Sequence, residues 1–332
     1  MKRSSVDLPL TVDVPGIASE LHLQLQRYIE AQYPIRHPSV IAERHALLGE
    51  AGVISQEPFI ESMPGYQPGP AYQDLALPVS LKRPLADLAG WSPVPIPPQL
   101  YKHQAEALEA FFGRDQDLLV ITGTGSGKTE TFLLPILLQS LIEAQSRPNS
   151  FRVPGMRALL LYPMNALVND QLTRVRQLFG NPKLGEWLHQ HTQAERSIRF
   201  GMYTSRTPYP GVLSKDKQKK QLLPLLEYYL QLEKNHPEQA QELKQRGRWP
   251  VLDLAALYRT IESNDGNVSI EKADSELYTR HQMQLWYPDL LITNYSMLEY
   301  TLMRPIEQTI FQQTASWLAQ DQENTLLIVL DE

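Results

Sequence analysis

A glycine-rich loop constrains the fold of this chain more than any other feature. An apolar run, Leu118 to Ile121, enters the sequence ITGTGSGKTE, and an apolar helical pattern begins at Phe132. The order of strand, glycine loop, Lys-Thr and helix predicts a phosphate-binding loop. Glycine permits positive φ and a close approach of the backbone to an anion, and amide groups at a helix N-terminus favour negative charge.

The loop predicts a set of nucleotide contacts. We expect Lys128 to reach the β- and γ-phosphates of ATP and the Thr129 hydroxyl to ligate Mg²⁺. The strict pattern has glycine at position 122, where this chain has Thr122. The alternative is a plain glycine turn between a strand and a helix. The predicted nucleotide-binding residues of the loop are Thr122, Gly123, Thr124, Gly125, Ser126, Gly127, Lys128, Thr129 and Glu130.

An acidic pair follows the last apolar run, LLIVLDE. After a strand of the same sheet, such a pair is typical of nucleotide hydrolases. We expect Asp331 to hold Mg²⁺ together with Thr129, and Glu332 to orient or deprotonate the attacking water. The predicted catalytic residues are therefore Lys128, Asp331 and Glu332. The alternative is an acidic pair without a role.

The composition excludes several classes of protein. The 332 residues are 42% hydrophobic and 20% charged, which is typical of globular chains. No apolar run approaches the roughly 20 residues that span a bilayer, and the start has no apolar signal core, so neither a membrane nor a secreted protein is expected. The chain has no cysteine, which excludes disulfides and thiolate metal sites and agrees with a cytoplasmic protein. A net charge of −6 still permits a local basic groove.

The apolar runs predict the fold class. They are continuous rather than alternating and are separated by helical patterns, which favours an α/β fold with a parallel sheet covered by helices on both faces. Ligands then gather at the carboxyl ends of the strands. The predicted strands are 118–122, 157–162, 198–203, 289–293 and 325–330.

The chain outside these strands is divided as follows. Residues 1–98 are predicted to be an extension with helices at 17–29 and 40–48, followed by a proline-rich extended arm. Residues 99–332 form the nucleotide-binding domain, with a mainly helical insertion at about 181–287, because this stretch is too long for an ordinary connection. Its basic cluster KDKQKK is either a solvated helix face or a contact to phosphates.

A helix predicted at Leu100 to Phe112 carries a candidate base-reading residue. Gln104 lies 24 residues before Lys128. Its amide can donate to N7 of adenine and accept from the N6 amino group, and Tyr101 can stack on the base. The alternative is a glutamine that faces solvent.

Together these motifs resemble those of the superfamily 2 DEAD/DEAH-box helicases. They are the HQ pair, GTGSGKTE as motif I, YPMNALVNDQ as motif Ia, TNYSMLEY, and LDE as the start of motif II. The sequence of these motifs is most similar to that of large bacterial helicases of phage-defence and DNA-repair loci, such as the DISARM and mitomycin-repair helicases. The resemblance covers about residues 99–332. It implies a RecA-like domain that uses ATP and Mg²⁺, acts on nucleic acid (DNA favoured), and works with a partner protein of a multi-subunit system.

The resemblance also implies contacts to the backbone of one nucleic-acid strand. Motif Ia and the TSRT and TNY segments line the strand path in such helicases. Asn165 stands where the family usually has arginine, so a neutral hydrogen bond is expected there. The alternative is that these polar residues cap strand ends. The residues implied are Pro163, Asn165, Ala166, Thr204, Arg206, Thr293 and Asn294.

The chain departs from the family after its last strand. Motif II normally continues with Ala-His, and a second RecA-like domain with arginine fingers follows. Since such a finger contributes about 10³–10⁵ in rate, we expect this chain alone to bind ATP weakly and neither to hydrolyse it fast nor to unwind. The favoured function is an ATP-dependent DNA helicase or translocase. The alternatives are an ATPase that remodels a protein partner and a non-enzymatic DNA-binding module.

Overall fold

The structure is a computed structural model that describes residues 13–57, 59, 65–91, 96–114, 117–123, 125–209, 211, 215–263 and 268–331. The chain divides into two compact units, Met1–Gly65 and Tyr66–Glu332. No helix in the described ranges has the length and apolarity that a bilayer span requires.

The first unit contains the two predicted helices, α1 (Val14–Gln32) and α2 (Pro38–Leu48). The Asp13 carboxylate caps α1 by accepting from the Gly16 N–H at 3.0 Å, and Pro38 occupies the first position of α2, where its missing N–H costs nothing. Apolar residues of α1 recur at helical spacing and form an exposed apolar stripe, in which Leu21 is 59% and Leu25 is 41% accessible. This unit therefore presents an apolar helical surface.

The second unit is built on a parallel sheet, which confirms the predicted fold class. The described strands are β1 (Ala158–Tyr162), β2 (Phe200–Tyr203), β3 (Leu290–Asn294) and β4 (Leu327–Leu330), in the order β2-β3-β1-β4. All three pairings are parallel, and Leu160 lies in register between Ile292 and Val329. The two inner strands, β1 and β3, are buried along their whole length on both faces, as their continuous apolar runs predict.

Helices cover both faces of this sheet. A 3₁₀ turn, Tyr72–Asp74, precedes them. The helices of the second unit are α3 (Val79–Ala89), α4 (Lys102–Arg114), α5 (Glu130–Ser146), α6 (Pro148–Arg152), α7 (Asn165–Phe179), α8 (Pro182–His191), α9 (Lys215–Asn235), α10 (Pro237–Gln245), α11 (Leu254–Ser263), α12 (Arg280–Trp286), α13 (Tyr295–Met303) and α14 (Pro305–Leu318).

The two faces have separate apolar cores because side chains alternate along each strand. Leu160 and Tyr162 of β1 share one core with residues of α3, α4, α5, α7 and α8. Leu159 and Leu161 share the other with residues of α12 and α14. The helix α5, which follows the glycine loop, therefore packs on the first face.

The prediction of a first strand at 118–122 is wrong for the described structure. Its residues do not join the sheet in the described structure, and Leu119 and Ile121 are 86% and 83% exposed. An apolar run becomes a strand only when a neighbouring strand supplies partners for its N–H and C=O groups. No described strand pairs with this run, and the outer strand β4 leaves Ile328 and Leu330 56% and 67% exposed.

The predicted proline-rich arm is also corrected, because it contains the helix α3. Pro84 lies inside this helix, where a proline costs about 3 kcal/mol. The cost is offset by burial, since Leu81, Leu85 and Leu88 are at most 1% exposed in the main core. Compact packing of the second unit accordingly begins at Tyr66, earlier than the boundary expected at residue 98.

The region predicted as an insertion is mixed in structure. β2 pairs with β3, and Leu184 and Trp187 of α8 lie in the main core, so these elements belong to the sheet domain. The helices α9, α10 and α11 form a third core of their own, to which Trp249 contributes. The separately packed part thus comprises α9, α10 and α11, within residues 215–263, together with Val268.

Buried ion pairs hold the amino edge of the sheet. Arg157, directly before β1, donates to both oxygens of Glu143 on α5 at 2.8 and 3.0 Å. Asp289, directly before β3, accepts from the guanidinium of Arg196 and lies 3.2 Å from that of Arg157. These contacts fix the carboxyl end of α5 at the amino edge of the sheet.

Candidate nucleotide site

The direction of α5 places the glycine loop at the carboxyl edge of the sheet. The last turns of α5 lie at the opposite edge, where Glu143 pairs with Arg157 and Arg147 donates to Asn324 at 2.7 Å. The helix therefore runs antiparallel to the strands, and Lys128 and Thr129 at its start lie at their carboxyl ends. Asp331 follows β4 at the same edge, with its N–H donating to the Leu161 carbonyl at 3.1 Å.

The loop has the backbone geometry of an anion cradle. Gly125 and Gly127 have φ of +75° and +74°, a region that side chains disfavour. At Gly125 a Cβ would meet no described atom within 4 Å, while at Gly127 it would lie 2.4 Å from the amide nitrogen of Gln104. The hydroxyls of Thr122 and Ser126 are hydrogen-bonded at 2.7 Å, which closes the loop.

The residues present suit phosphate and Mg²⁺. No described side chain caps the start of α5, whose first N–H groups, those of Glu130, Thr131 and Phe132, donate to the carbonyls of Gly127, Lys128 and Thr129. The positive end of the helix dipole still favours an anion in front of it. Lys128 supplies an ammonium group, and Thr129 and Asp331 supply the oxygen ligands that Mg²⁺ prefers. The roles of these side chains, and of Gly123 in the loop, stay predictions. Thr124 and Glu332 lie outside the described residues.

Gln104 is tied to the loop rather than to solvent. Its side chain is 3% exposed, its carbonyl oxygen accepts from the Tyr101 N–H at 2.8 Å, and its amide donates to the Gly127 carbonyl at 2.8 Å. The alternative of a solvent-facing glutamine is therefore wrong. The amide nitrogen also donates to a Glu130 carboxylate oxygen at 3.4 Å, while the carbonyl oxygen retains a second acceptor position. Adenine reading therefore stays a prediction.

An aromatic cluster borders Gln104. Tyr101 is 40% exposed, and its ring centroid lies 5.4 Å from that of Tyr66 and 5.9 Å from that of His103. Tyr101 was predicted to stack on the base. Tyr66 was not predicted, because it lies in a proline-rich stretch without a motif, and His103 was named only as part of the HQ pair, without a role. A base at this position would meet rings rather than a single tyrosine.

An ion pair joins the glycine loop to α7. Glu130 accepts from Arg174 at 3.0 Å, and the two side chains are 24% and 45% exposed. A pair this accessible contributes roughly 0–1 kcal/mol to stability, so its interest is its position. No motif predicts a role for Arg174, because the pairing depends on the packing of α5 against α7.

The residues implied to contact nucleic acid gather at the same edge. Asn294 donates to the Asn165 side chain at 2.6 Å, and Asn165 donates to Ser205 at 3.3 Å. Asn165 therefore links the segments that follow β1, β2 and β3. Pro163, Ala166 and Arg206 are exposed beside this link. We call this group of residues at the strand ends the strand-end surface; its members are Pro163, Asn165, Ala166, Ser205, Arg206 and Asn294.

Two of the implied residues have protein partners instead. Thr204 and Thr293 are both 1% exposed. The Thr293 hydroxyl donates to the Tyr203 carbonyl at 2.6 Å, and that of Thr204 accepts from the Arg206 N–H at 3.2 Å. Asn294 also caps α13 through the Met297 N–H at 2.7 Å. These bonds match the alternative in which such residues cap strand ends.

Replacing Gln104 tests its place in the site. We expect Gln104→Ala to weaken binding of a fluorescent ADP about tenfold and to reduce its preference over GDP, because the loop loses a buried hydrogen bond worth roughly 1–2 kcal/mol. Gln313→Ala is the matched control, since its amide donates to the Pro154 carbonyl at 2.9 Å at the opposite edge. Equal affinities of all three proteins would contradict the assignment.

Comparisons with known proteins agree with this site. Residues 101–207 match the DEAD/DEAH box helicase family. The chain is also 47% identical over 329 residues to the Druantia protein DruE of Escherichia coli (strain UMEA 4076-1), an alignment that covers 93% of this chain. The chain spans about 18% of the length of that relative. Both findings confirm the resemblance inferred from the motifs.

Proposed function

From the premise that residues 101–207 carry a DEAD/DEAH box helicase domain, we propose that this chain is the ATP-binding part of an ATP-dependent DNA helicase or translocase. The observation that supports this most is the meeting of two surfaces at one edge of a parallel sheet. The glycine loop and Asp331 lie there, and so does the strand-end surface. A motor that couples nucleotide state to movement on a strand needs these two surfaces next to each other.

The roles of the residues follow from their chemistry. The Lys128 ammonium neutralises the β- and γ-phosphates, while N–H groups of the glycine loop hold them in place. The Thr129 hydroxyl and the Asp331 carboxylate hold Mg²⁺, which neutralises charge on the phosphate oxygens when bound. Glu332 orients the attacking water and accepts its proton.

The strand-end surface suits a nucleic-acid backbone. Arg206 offers an exposed cation and Asn165 a neutral donor, both suited to phosphate oxygens. Such contacts carry no sequence information, as a motor that moves along any sequence requires. DNA is the proposed substrate because of the family resemblance. Binding should weaken as salt rises.

The biological setting is also a proposal. The similarity to the Druantia protein supports a role in defence against phage, with DNA repair as the related possibility. We place the protein in the cytoplasm, where this DNA is found, together with a partner protein of a multi-subunit system. The exposed apolar stripe of α1 is a surface that such a partner can cover.

The stripe also supports a second candidate. An ATPase that remodels a protein partner would use the same glycine loop and would need a protein-binding surface, which α1 offers. Nucleic acid would then be irrelevant to turnover. The two functions differ in what stimulates ATP hydrolysis.

ATP hydrolysis by the full-length gene product decides between them. We expect single-stranded or duplex DNA to stimulate turnover about tenfold or more, because strand binding closes the nucleotide site. RNA and buffer are the comparisons, and Lys128→Ala is the control for contaminating ATPases. Robust turnover that no nucleic acid changes would favour the remodelling ATPase. No turnover, with DNA binding retained in Lys128→Ala, would favour a non-enzymatic module.

A further inference from the structure

Tyr162 is the last residue of β1 and carries an unexplained hydroxyl. The side chain is 1% exposed, with its ring in the core between the sheet, α5 and α7. Its hydroxyl has no hydrogen-bond partner among the described residues. A buried polar group without a partner is rare and destabilising in native proteins, so a further function of the hydroxyl is expected.

The surroundings of Tyr162 point to the nucleotide site. The Asp331 N–H donates to the carbonyl of Leu161, so the acidic residue lies at the strand end next to Tyr162. Arg174, which pairs with Glu130 of the loop helix, is among the charges that act on Tyr162. The buried hydroxyl is thus enclosed by elements that carry the predicted site.

The hydroxyl is a donor at physiological pH. Burial raises the pKa of Tyr162 well above its ordinary value, and the Asp331 carboxylate raises this pKa further. The proton therefore stays on the oxygen, and the hydroxyl can donate to a carboxylate that comes within reach. Packing alone does not require a hydroxyl here, because phenylalanine would fill the same volume.

We propose that Tyr162 is a positioning residue whose hydroxyl donates a hydrogen bond to the Asp331 carboxylate, directly or through one water, when a nucleotide and Mg²⁺ occupy the loop. The bond fixes the carboxylate in the orientation that suits the metal. This inference rests on the proposed function, because it needs Asp331 to act at a Mg²⁺-nucleotide site. It adds a residue that the glycine loop and the acidic pair do not include.

Tyr162→Phe removes the hydroxyl and keeps the ring. The dissociation constant of a fluorescent ADP for this chain is measured with saturating Mg²⁺ and again in EDTA, and thermal unfolding is followed without ligand. We expect binding with Mg²⁺ to weaken about tenfold, the equivalent of one charge-assisted hydrogen bond, while binding in EDTA changes less than about twofold. The unfolding temperature should stay the same or rise, because a buried unsatisfied group is lost.

Tyr203→Phe is the matched control. Tyr203 is equally buried at the end of β2, but its hydroxyl bonds with Glu307 and Gln284 at 3.1 Å on the other face of the sheet. We expect its loss to leave both dissociation constants unchanged. A general weakening of the core by tyrosine removal would act on both variants alike.

Three results would overturn the inference. The first is that Tyr162→Phe binds Mg²⁺-ADP as tightly as the unmodified chain. The second is that its affinity for ADP falls by the same factor in EDTA as with Mg²⁺, which would indicate a packing effect. The third concerns the double variant. If Tyr162→Phe weakened Mg²⁺-ADP binding as much in the Asp331→Asn background as in the unmodified chain, the hydroxyl would not act through the Asp331 carboxylate. Absence of Mg²⁺-dependent binding in the unmodified chain would instead contradict the proposed function itself.

Discussion

Lys128→Ala is expected to lower the kcat/KM of the full-length gene product for ATP by about 10³ or more. Removing a single preorganised donor from a developing negative charge already costs about 10²–10³ in rate, and the lysine adds a full positive charge at the phosphates. Its position supports this magnitude, since Lys128 follows Gly127, whose positive φ turns the chain into α5. The phosphates would meet both this ammonium and the N-terminus of the helix.

Nucleotide binding separates the catalytic effect from a folding defect. The same change in this chain should raise the dissociation constant of fluorescent ADP about tenfold or more, while thermal unfolding without ligand stays unaltered. Lys183→Ala, an exposed lysine at the start of α8, is the matched control and should bind as the unmodified chain does. If Lys128→Ala retained more than about a tenth of the turnover, the phosphate-binding assignment would be wrong.

The glycine loop was predictable because its conformation is determined by residues that are adjacent in the sequence. Gly125 and Gly127 adopt positive φ, and Lys128 precedes a helix, as the motif alone requires. The parallel sheet was predictable for a related reason: continuous apolar runs such as those of β1 and β3 persist only where both faces are buried.

The remaining features depend on packing between distant segments. The run 118–122 reads as a strand, but pairing is decided by its neighbours, and no described strand lies beside it. The frequent prolines predicted an extended arm, but this stretch contains α3. The burial of apolar side chains such as Leu85 outweighs the helix-destabilising effect of Pro84. The ion pair between Glu130 and Arg174 joins residues that are 44 positions apart, and no sequence motif predicts it.

Asp289→Asn is expected to destabilise the second unit by about 3–5 kcal/mol, the usual effect of breaking a buried ion pair. The carboxylate is 1% exposed, accepts from Arg196 at 2.8 Å and from the Arg199 N–H at 2.7 Å, and lies 3.2 Å from Arg157. Asparagine matches its shape but leaves two buried guanidinium groups without full compensation. Because whole domains are stable by only about 5–15 kcal/mol, urea denaturation should show a large shift.

An exposed pair is the control for this change. Asp321 lies 3.3 Å from Arg147, but its side chain is 40% accessible, so solvent already screens the interaction. We expect Asp321→Asn to leave the urea midpoint nearly unchanged. If Asp289→Asn behaved in the same way, the amino-edge ion pairs would not be what fixes α5 against the sheet.

The pH dependence of unfolding gives an independent test of Asp289. Burial alone would raise the pKa of this carboxyl, but Arg196 and Arg157 outweigh it and hold the pKa below its ordinary range. A group with a lower pKa in the folded state binds fewer protons there than in the unfolded state. Its contribution to the free energy of unfolding is therefore complete above the unfolded pKa of about 4 and is lost as pH falls through the lower folded pKa.

The free energy of unfolding should decline between about pH 5 and pH 2 in the unmodified chain, and more shallowly in Asp289→Asn. Parallel acid declines in the two proteins would assign the loss of stability to other carboxylates.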